Sequence, residues 1–281
     1  MPRKPTIALV GAGKVAQALG PALRRAGYRI SEVVGRDRAA SRARVRRLAR
    51  RVGAHAVTVA EAGLHSDVIW LAVSDDAVAA CARELARRRD WEGKIALHSS
   101  GALPSDRLAP LRRRGAAVGS LHPLMTFARG SVPGLRGVFF AVEGDARAVR
   151  VGRRIARDLG GSALHLRKRD KALYHAWGMF TSPLLVAVLA LSERVGRKAG
   201  VTDPARAAQA ILRQTFKNYL EAGAAAAFSG PLVRGDVTTV RANLRALRAL
   251  PDARHAYLAL ARAALRDLPA RHRSELVKLL K

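Results

Sequence analysis

Residues 6–10, Thr-Ile-Ala-Leu-Val, run straight into Gly11-Ala12-Gly13-Lys14-Val15-Ala16. The aliphatic run reads as a short strand buried on both faces. Val15, Ala18, Leu19, Ala22 and Leu23 then repeat at helical spacing. A strand that turns into a helix through Gly-x-Gly-x-x-Ala has few alternatives. Gly11 permits the tight turn, and Gly13 leaves room for a pyrophosphate beside the backbone. Ala16 replaces a third glycine where helix and strand pack closely. The N–H groups opening that helix, on residues Gly11 to Ala16, are placed to hold phosphates. These residues predict a dinucleotide-binding βαβ unit of the Rossmann type.

The end of the next strand, predicted over Tyr28 to Val34, selects the dinucleotide. A carboxylate there suits the ribose 2′-hydroxyl of NAD, whereas arginine accommodates a 2′-phosphate. The chain reads Gly35-Arg36-Asp37-Arg38-Ala39-Ala40-Ser41, with Asp37 late and set between two guanidinium groups. Arg36 and Arg38, with the Ser41 hydroxyl, are the expected phosphate ligands, which favours NADP. Arg42, Arg44, Arg46, Arg47, Arg50 and Arg51 read as a solvated helix face.

The strongest later strand is Asp67 to Val73. In sheets of this kind ligands lie outside the carboxyl ends of the strands, so Val73 and Ser74 are expected beside the nicotinamide ribose, with Asp75 as a helix cap. Two further strands end in polar residues: Lys94 to Leu97 leads into His98-Ser99-Ser100-Gly101, and Ala116 to Leu121 into His122-Pro123. His98 and Ser99 are expected at the cofactor carboxamide or the substrate, and Ser100 and His122 at the reacting atoms. Strands at 138–142 and 163–166 close the sheet, and beyond 166 only helical patterns remain. This places an NADP-binding domain at 1–166 and an all-helical domain at 167–281. Lys171, His175 and Ser182, at spacings of four and seven, are expected on one helix face lining a cleft.

The net charge of +30 requires a reading. Only nine of the 51 basic residues are lysine, and the arginines are spread over every predicted helix rather than gathered in a tail. No aromatic-rich strand accompanies them, as base stacking would want, so no specific nucleic acid partner is expected. The apolar run Ala176 to Leu191 contains Thr181, Ser182 and Pro183 and falls short of the ~20 residues of a membrane span, so it is expected to be a buried helix rather than a span. Cys81 is the one cysteine, which excludes an intramolecular disulfide and a cysteine metal cluster. With no leader pattern before the first strand, the expected compartment is the cytoplasm, and no metal is expected.

Five stretches taken together resemble one family: residues 11–16, His-Ser-Ser-Gly at 98–101, Ser-Leu-His-Pro-Leu-Met-Thr-Phe at 120–127, Tyr-His-Ala at 174–176, and Gly-Pro-Leu-Val-Arg-Gly-Asp at 230–236. The chain is similar to Rossmann-like proteins carrying a DUF2520 domain, relatives of pyrroline-5-carboxylate reductase and the 3-hydroxyacid dehydrogenases. The resemblance implies an α/β fold with a mostly parallel sheet, followed by an all-α domain like the carboxyl-terminal domain of 6-phosphogluconate dehydrogenase. It also implies an NADP-dependent oxidoreductase that dimerises through its helices. The chain departs from the family at Thr181-Ser182-Pro183, where Ala-Ser-Asn is usual. Its Lys171-x-x-x-His175 is not the Lys-x-x-x-Asn pair of the hydroxyacid dehydrogenases.

The function expected is hydride transfer between NADP(H) and a small carbonyl or imine, with His175 the first candidate acid, His122 the second, and Ser100 assisting. An unperturbed imidazole titrates near pH ~6.5, within easy reach of such a role. The competing expectation is a non-catalytic NADP-binding sensor or scaffold.

Overall fold

The computed structural model describes residues 3–88, 90–128 and 130–281. The chain divides into two compact units, Met1–Met179 and Phe180–Lys281.

The first unit is built on eight strands: β1 (Ile7–Val10), β2 (Ile30–Gly35), β3 (His55–Thr58), β4 (Val68–Leu71), β5 (Ile95–His98), β6 (Ala117–Pro123), β7 (Phe139–Gly144) and β8 (Ser162–His165). They form one sheet in the order β3-β2-β1-β4-β5-β6-β7-β8. Neighbours are parallel throughout except β6 with β7, so the sheet is mostly parallel, as expected. β1 sits centrally, pairing Leu9 with Val33 on one side and Trp70 on the other.

Helices cover both faces: α1 (Lys14–Arg25), α2 (Ala39–Val52), α3 (Asp75–Ala86), α4 (Ala109–Arg112) and α5 (Ala146–Asp158). Strand periodicity decides which core each residue joins. Ile7 and Leu9 enter the core with Ala16, Leu19 and Leu48, while Ala8 and Val10 enter the other with Val78, Leu85 and Trp91. A strand buried on both faces must be apolar at every position, which is why its sequence is a continuous run.

The strand pattern ends at β8, but the first unit continues into α6 (Lys171–Thr181), because Lys171 and Tyr174 are buried in it. The second unit holds α7 (Pro183–Lys198), α8 (Pro204–Ala207), α9 (Gln209–Ala227), α10 (Pro231–Arg234), α11 (Val237–Ala246), α12 (Pro251–Asp267) and α13 (Arg273–Leu279). Its core is Val240, Leu244, Ala261, Leu265, Leu276 and Leu280.

Two expectations for this region are corrected. The run Ala176 to Leu191 is not one helix, because Ser182 leaves helical geometry (φ −136°, ψ −81°) and Pro183 restarts the chain as α7. Nor is it a buried helix: α7 and α9 contain no buried residue, and Leu184, Val186, Ile211, Phe216, Tyr219 and Leu220 are exposed. Residues Lys168–Lys198 are long and apolar enough to cross a membrane by length and composition, although the break at Ser182-Pro183 divides them.

Candidate functional site

The β1–α1 turn has the geometry its sequence predicts. Gly11 has φ +104°, and a Cβ there would stand 2.5 Å from the Ala72 carbonyl oxygen, so only glycine fits without strain. Gly13 is exposed, and a Cβ on it would meet only that same oxygen, at the ordinary contact distance of 3.9 Å. Ala16 is fully buried and packs α1 on the sheet. The first N–H groups of α1 have no partner within the helix and face any group seated there.

A cavity of about 450 Å³ opens at this point, lined by Gly11, Ala12 and Gly13, by Arg36, Val73 and Ser74 just beyond the ends of β2 and β4, and by Ser41 and Arg44 of α2. The structure thus brings Arg36, Ser41, Val73 and Ser74 to the glycine turn. Arg38 is not in the lining; it is the exposed N-cap residue of α2. Arg44, assigned above to the solvated face, takes that place, because it lies three residues beyond Ser41 on the same face of α2. Gly35 is needed here: a Cβ on it would lie 2.4 Å from Val45 and 3.0 Å from Ser41 Oγ. Asp37 forms an ion pair with Arg42. Lys14 is exposed and Val15 half-buried, outside the lining, so within the motif they serve the helix. The cap of α3 is Ser74 rather than Asp75. The Ser74 hydroxyl instead donates to Asp76, whose carboxyl is lowered first by that bond and further by the Arg36 charge.

The carboxyl ends of β5, β6 and β7 hold a different kind of site. Lys171 is 1% exposed, and its Nζ donates to the Ser100 carbonyl at 3.0 Å and to Ser120 Oγ at 2.6 Å. Ser120 Oγ in turn donates a hydrogen bond to the Ser100 carbonyl at 3.2 Å. Across the β6–β7 pairing, Ser120 faces Glu143, whose Oε1 lies 3.9 Å from Lys171 Nζ. Glu143 is buried too and accepts from Ser105 N at 2.7 Å and Ser105 Oγ at 2.8 Å. Burial lowers the Lys171 ammonium to about 8 against the pull of Glu143 and Asp75. A buried charge of this kind is tolerated only with such partners. Glu143 escaped the sequence reading because it stands in an otherwise apolar strand; that oddity was the available signal.

The predicted His-Ser-Ser stretch is the inner wall of this cluster. His98 is fully buried, and its Nδ1 accepts from the Ser100 backbone N–H at 3.1 Å, so Nε2 carries the proton. That nitrogen finds no partner in hydrogen-bond geometry. Burial, then the Lys171 charge, pushes the ring down to about 3, against the pull of the Pro104 backbone. Ser99 Oγ accepts from Trp70 Nε1 at 2.8 Å, and Ser100 Oγ accepts from the N–H groups of Ala102 (3.2 Å) and Leu103 (2.9 Å). Both hydroxyls therefore hold the loop that presents Ser100's carbonyl to Lys171.

His122 lies at the end of β6 with its Nδ1 2.8 Å from the Tyr174 hydroxyl, the two rings edge to face at 86°. His175 is close enough for its charge to act on His122, but it is exposed. The buried pair on α6 is Lys171 with Tyr174, three residues apart; His175 lies a further step round the helix. Ser182, outside α6, does not share that face. Among the described residues no group of His, Cys, Asp and Glu is arranged to hold a metal.

Family models match both parts of the chain: a Rossmann-like domain over residues 2–123, and a domain of unknown function, DUF2520, over 138–264. The chain carries both domains. The DUF2520 match begins at β7, so it includes β7, α5 and β8 as well as helices of the second unit. Among solved structures, a candidate NADP oxidoreductase from Bacteroides fragilis is 23% identical with a TM-score of 0.72, covering 92% of this chain and 97% of its own. A pyrroline-5-carboxylate reductase from Coxiella burnetii is 14% identical with a TM-score of 0.59, covering 93% and 98%. An imine reductase variant from Myxococcus stipitatus, solved with NAD+, is 20% identical with a TM-score of 0.54, covering 99% and 100%. At these identities the likeness establishes the fold. A search of curated proteins returned no match.

Proposed function

We propose that the chain is an NADP(H)-dependent oxidoreductase that moves hydride between the nicotinamide and a small carbonyl or imine. The observation that carries this is the cavity at the glycine turn, where the exposed Gly13, the α1 N-terminus, two arginines and Ser41 meet. Its residues suit a dinucleotide. The α1 N-terminus would hold the pyrophosphate, Arg36, Arg44 and Ser41 a ribose 2′-phosphate, and Val73 with Ser74 the nicotinamide ribose. NADP is favoured over NAD because Asp37, the carboxylate nearest the end of β2, is paired with Arg42.

When bound, the nicotinamide supplies the hydride. The protein must place the substrate, exclude water and manage one proton. Lys171, His122 and Tyr174 are the protic groups at the neighbouring strand ends, and Ser100, Ser120 and Glu143 fix the lysine. The neighbours' names, an NADP oxidoreductase and two reductases of C=N bonds, agree with this class of reaction.

The exposed apolar faces of α7 and α9 support a homodimer through the helices. Sedimentation showing a monomer at micromolar concentration would remove that part. A cytoplasmic location fits such an enzyme.

The direct test is NADPH oxidation, followed by absorbance, over a panel of keto acids, aldehydes and cyclic imines. Turnover on at least one is expected. NADPH that binds but is never consumed would leave a sensor, and failure to bind would end both readings.

A further inference from the structure

We propose that the free edge of β8, flanked by a stripe of arginines on α5, binds an extended acidic segment of a partner protein as an added strand.

The strand order leaves β3 and β8 with one unpaired edge each. On β8, Ser162 N–H donates to the Val138 carbonyl at 3.0 Å, and Leu166 N–H just beyond it donates to the Val142 carbonyl at 2.9 Å. In a parallel ladder the alternate residues point the other way, so Ala163 and His165 turn their N–H and C=O groups to the free edge. Ser162-Ala163-Leu164-His165 holds no proline, lysine, arginine or carboxylate, residues with which edge strands block further pairing.

A groove of about 930 Å³ opens beside this strand, lined by Ser162, Ala163 and His165 and by Arg150, Arg153 and Arg157 of α5. The three arginines are exposed, and none has an ion-pair partner among the described residues. Arg154 pairs with Asp158 instead. The lining contains no carboxylate and no Phe, Tyr or Trp. The groove at the opposite edge differs. Beside β3 it holds Asp37 and Glu61, which are engaged by Arg42 and Thr58. Only the groove at β8 gathers positive charge with nothing to neutralise it.

Spacing and faces define the ligand. The helical rise sets Arg150, Arg153 and Arg157 about 4.5 and about 6 Å apart along α5. Alternate residues of a strand lie about 6.6 Å apart, a matching repeat. Phe140, Val142 and Ala163 pack with Ile155 and Ala156 of α5, so every second residue of an added strand would stand on the arginine side. The residues between would stand on the side of Phe139 and Leu164, which are 56% and 41% exposed. The segment that fits therefore alternates acidic and apolar side chains, its main chain pairing with β8. A second copy of this chain, at net charge +30, would bring like charge to the arginines. A nucleic acid would find no aromatic platform and has no peptide groups to pair with the edge.

The test is fluorescence anisotropy on the full chain at physiological salt, with a labelled Val-Glu-Val-Glu-Val-Glu-Val peptide. It should bind at least about tenfold more tightly than Val-Val-Val-Val-Glu-Glu-Glu, which has the same composition and charge. Methylation of its alternate amide nitrogens should abolish binding. The triple variant Arg150→Ala, Arg153→Ala, Arg157→Ala should weaken it about tenfold, and Arg153→Ala alone about threefold, so the test survives if the triple variant fails to fold. No binding, equal affinity for the two sequences, indifference to amide methylation, or unchanged affinity in the folded arginine variants overturns the proposal. So does an oligothymidylate that binds more tightly than the alternating peptide and is lost in the triple variant. A dimer that the triple variant dissolves in sedimentation assigns the edge to a second copy, and overturns it too.

Discussion

The glycine turn at β1–α1 and the cluster at the ends of β5, β6 and β7 lie on the same edge of one sheet, yet they are built by opposite means. The turn is backbone with few side chains: Gly11 at positive φ, an exposed Gly13, and a helix end. The cluster is side chains packed without exposure, with Lys171, Glu143, Ser120 and His98 all 2% exposed or less. Backbone sites are made by leaving atoms out, so they tolerate few residues and show in a sequence. Side-chain sites are made by partners brought together from distant segments, and no local spacing announces them.

The contrast predicts that the cluster is the more costly to break. Lys171→Met leaves Glu143 buried opposite an apolar group and should lower stability by about 3–5 kcal/mol in urea unfolding. Adding Glu143→Gln should recover part of that loss. Equal stability of the single and double variants would show that the two residues are not coupled. Gly11→Val should cost about 2 kcal/mol from backbone strain alone, more with the clash on Ala72, and should abolish NADPH binding. A fluorescence titration checks it.

The cluster should also respond to pH where the turn does not. His98 and His122 titrate in the fold at about 3 and about 4, below their usual 6.5. The unfolded chain therefore binds protons first, and stability should fall as pH drops from about 6.5 towards 4, each histidine adding at most ~1.4 kcal/mol per pH unit. Lys171, at about 8 instead of 10.5, bears its full cost below pH 8 and should let stability rise from about pH 8 to 10. Lys171→Met should remove that alkaline rise, as thermal melts across the range would show. The smallest effect is expected at the cavity rim, where Arg36→Ala or Arg44→Ala should each weaken NADPH about tenfold and NADH little, consistent with one charged hydrogen bond.

The strands were readable because burial on both faces demands unbroken apolar runs, as in Ile7–Val10 and Val68–Leu71. The glycine turn was readable for the reasons above. Arg44 was not, since nothing in a row of arginines says which one lines the cavity. The spacing of four from Lys171 selected His175, whereas the buried face of α6 is the spacing of three, to Tyr174. Glu143 and Tyr174 matter through contacts with Ser105 and His122, and those contacts exist only once the sheet and α6 have assembled. The break at Ser182-Pro183 was visible as a proline, but the apolar run around it favoured one buried helix.

The most direct test of the account is calorimetric titration of the wild-type chain with NADPH and with NADH in the same buffer. The account predicts one NADPH per chain, bound at least tenfold more tightly than NADH, with the difference lost in an Arg36→Ala, Arg44→Ala double variant. Absence of heat with both, or equal affinity for the two, would contradict it.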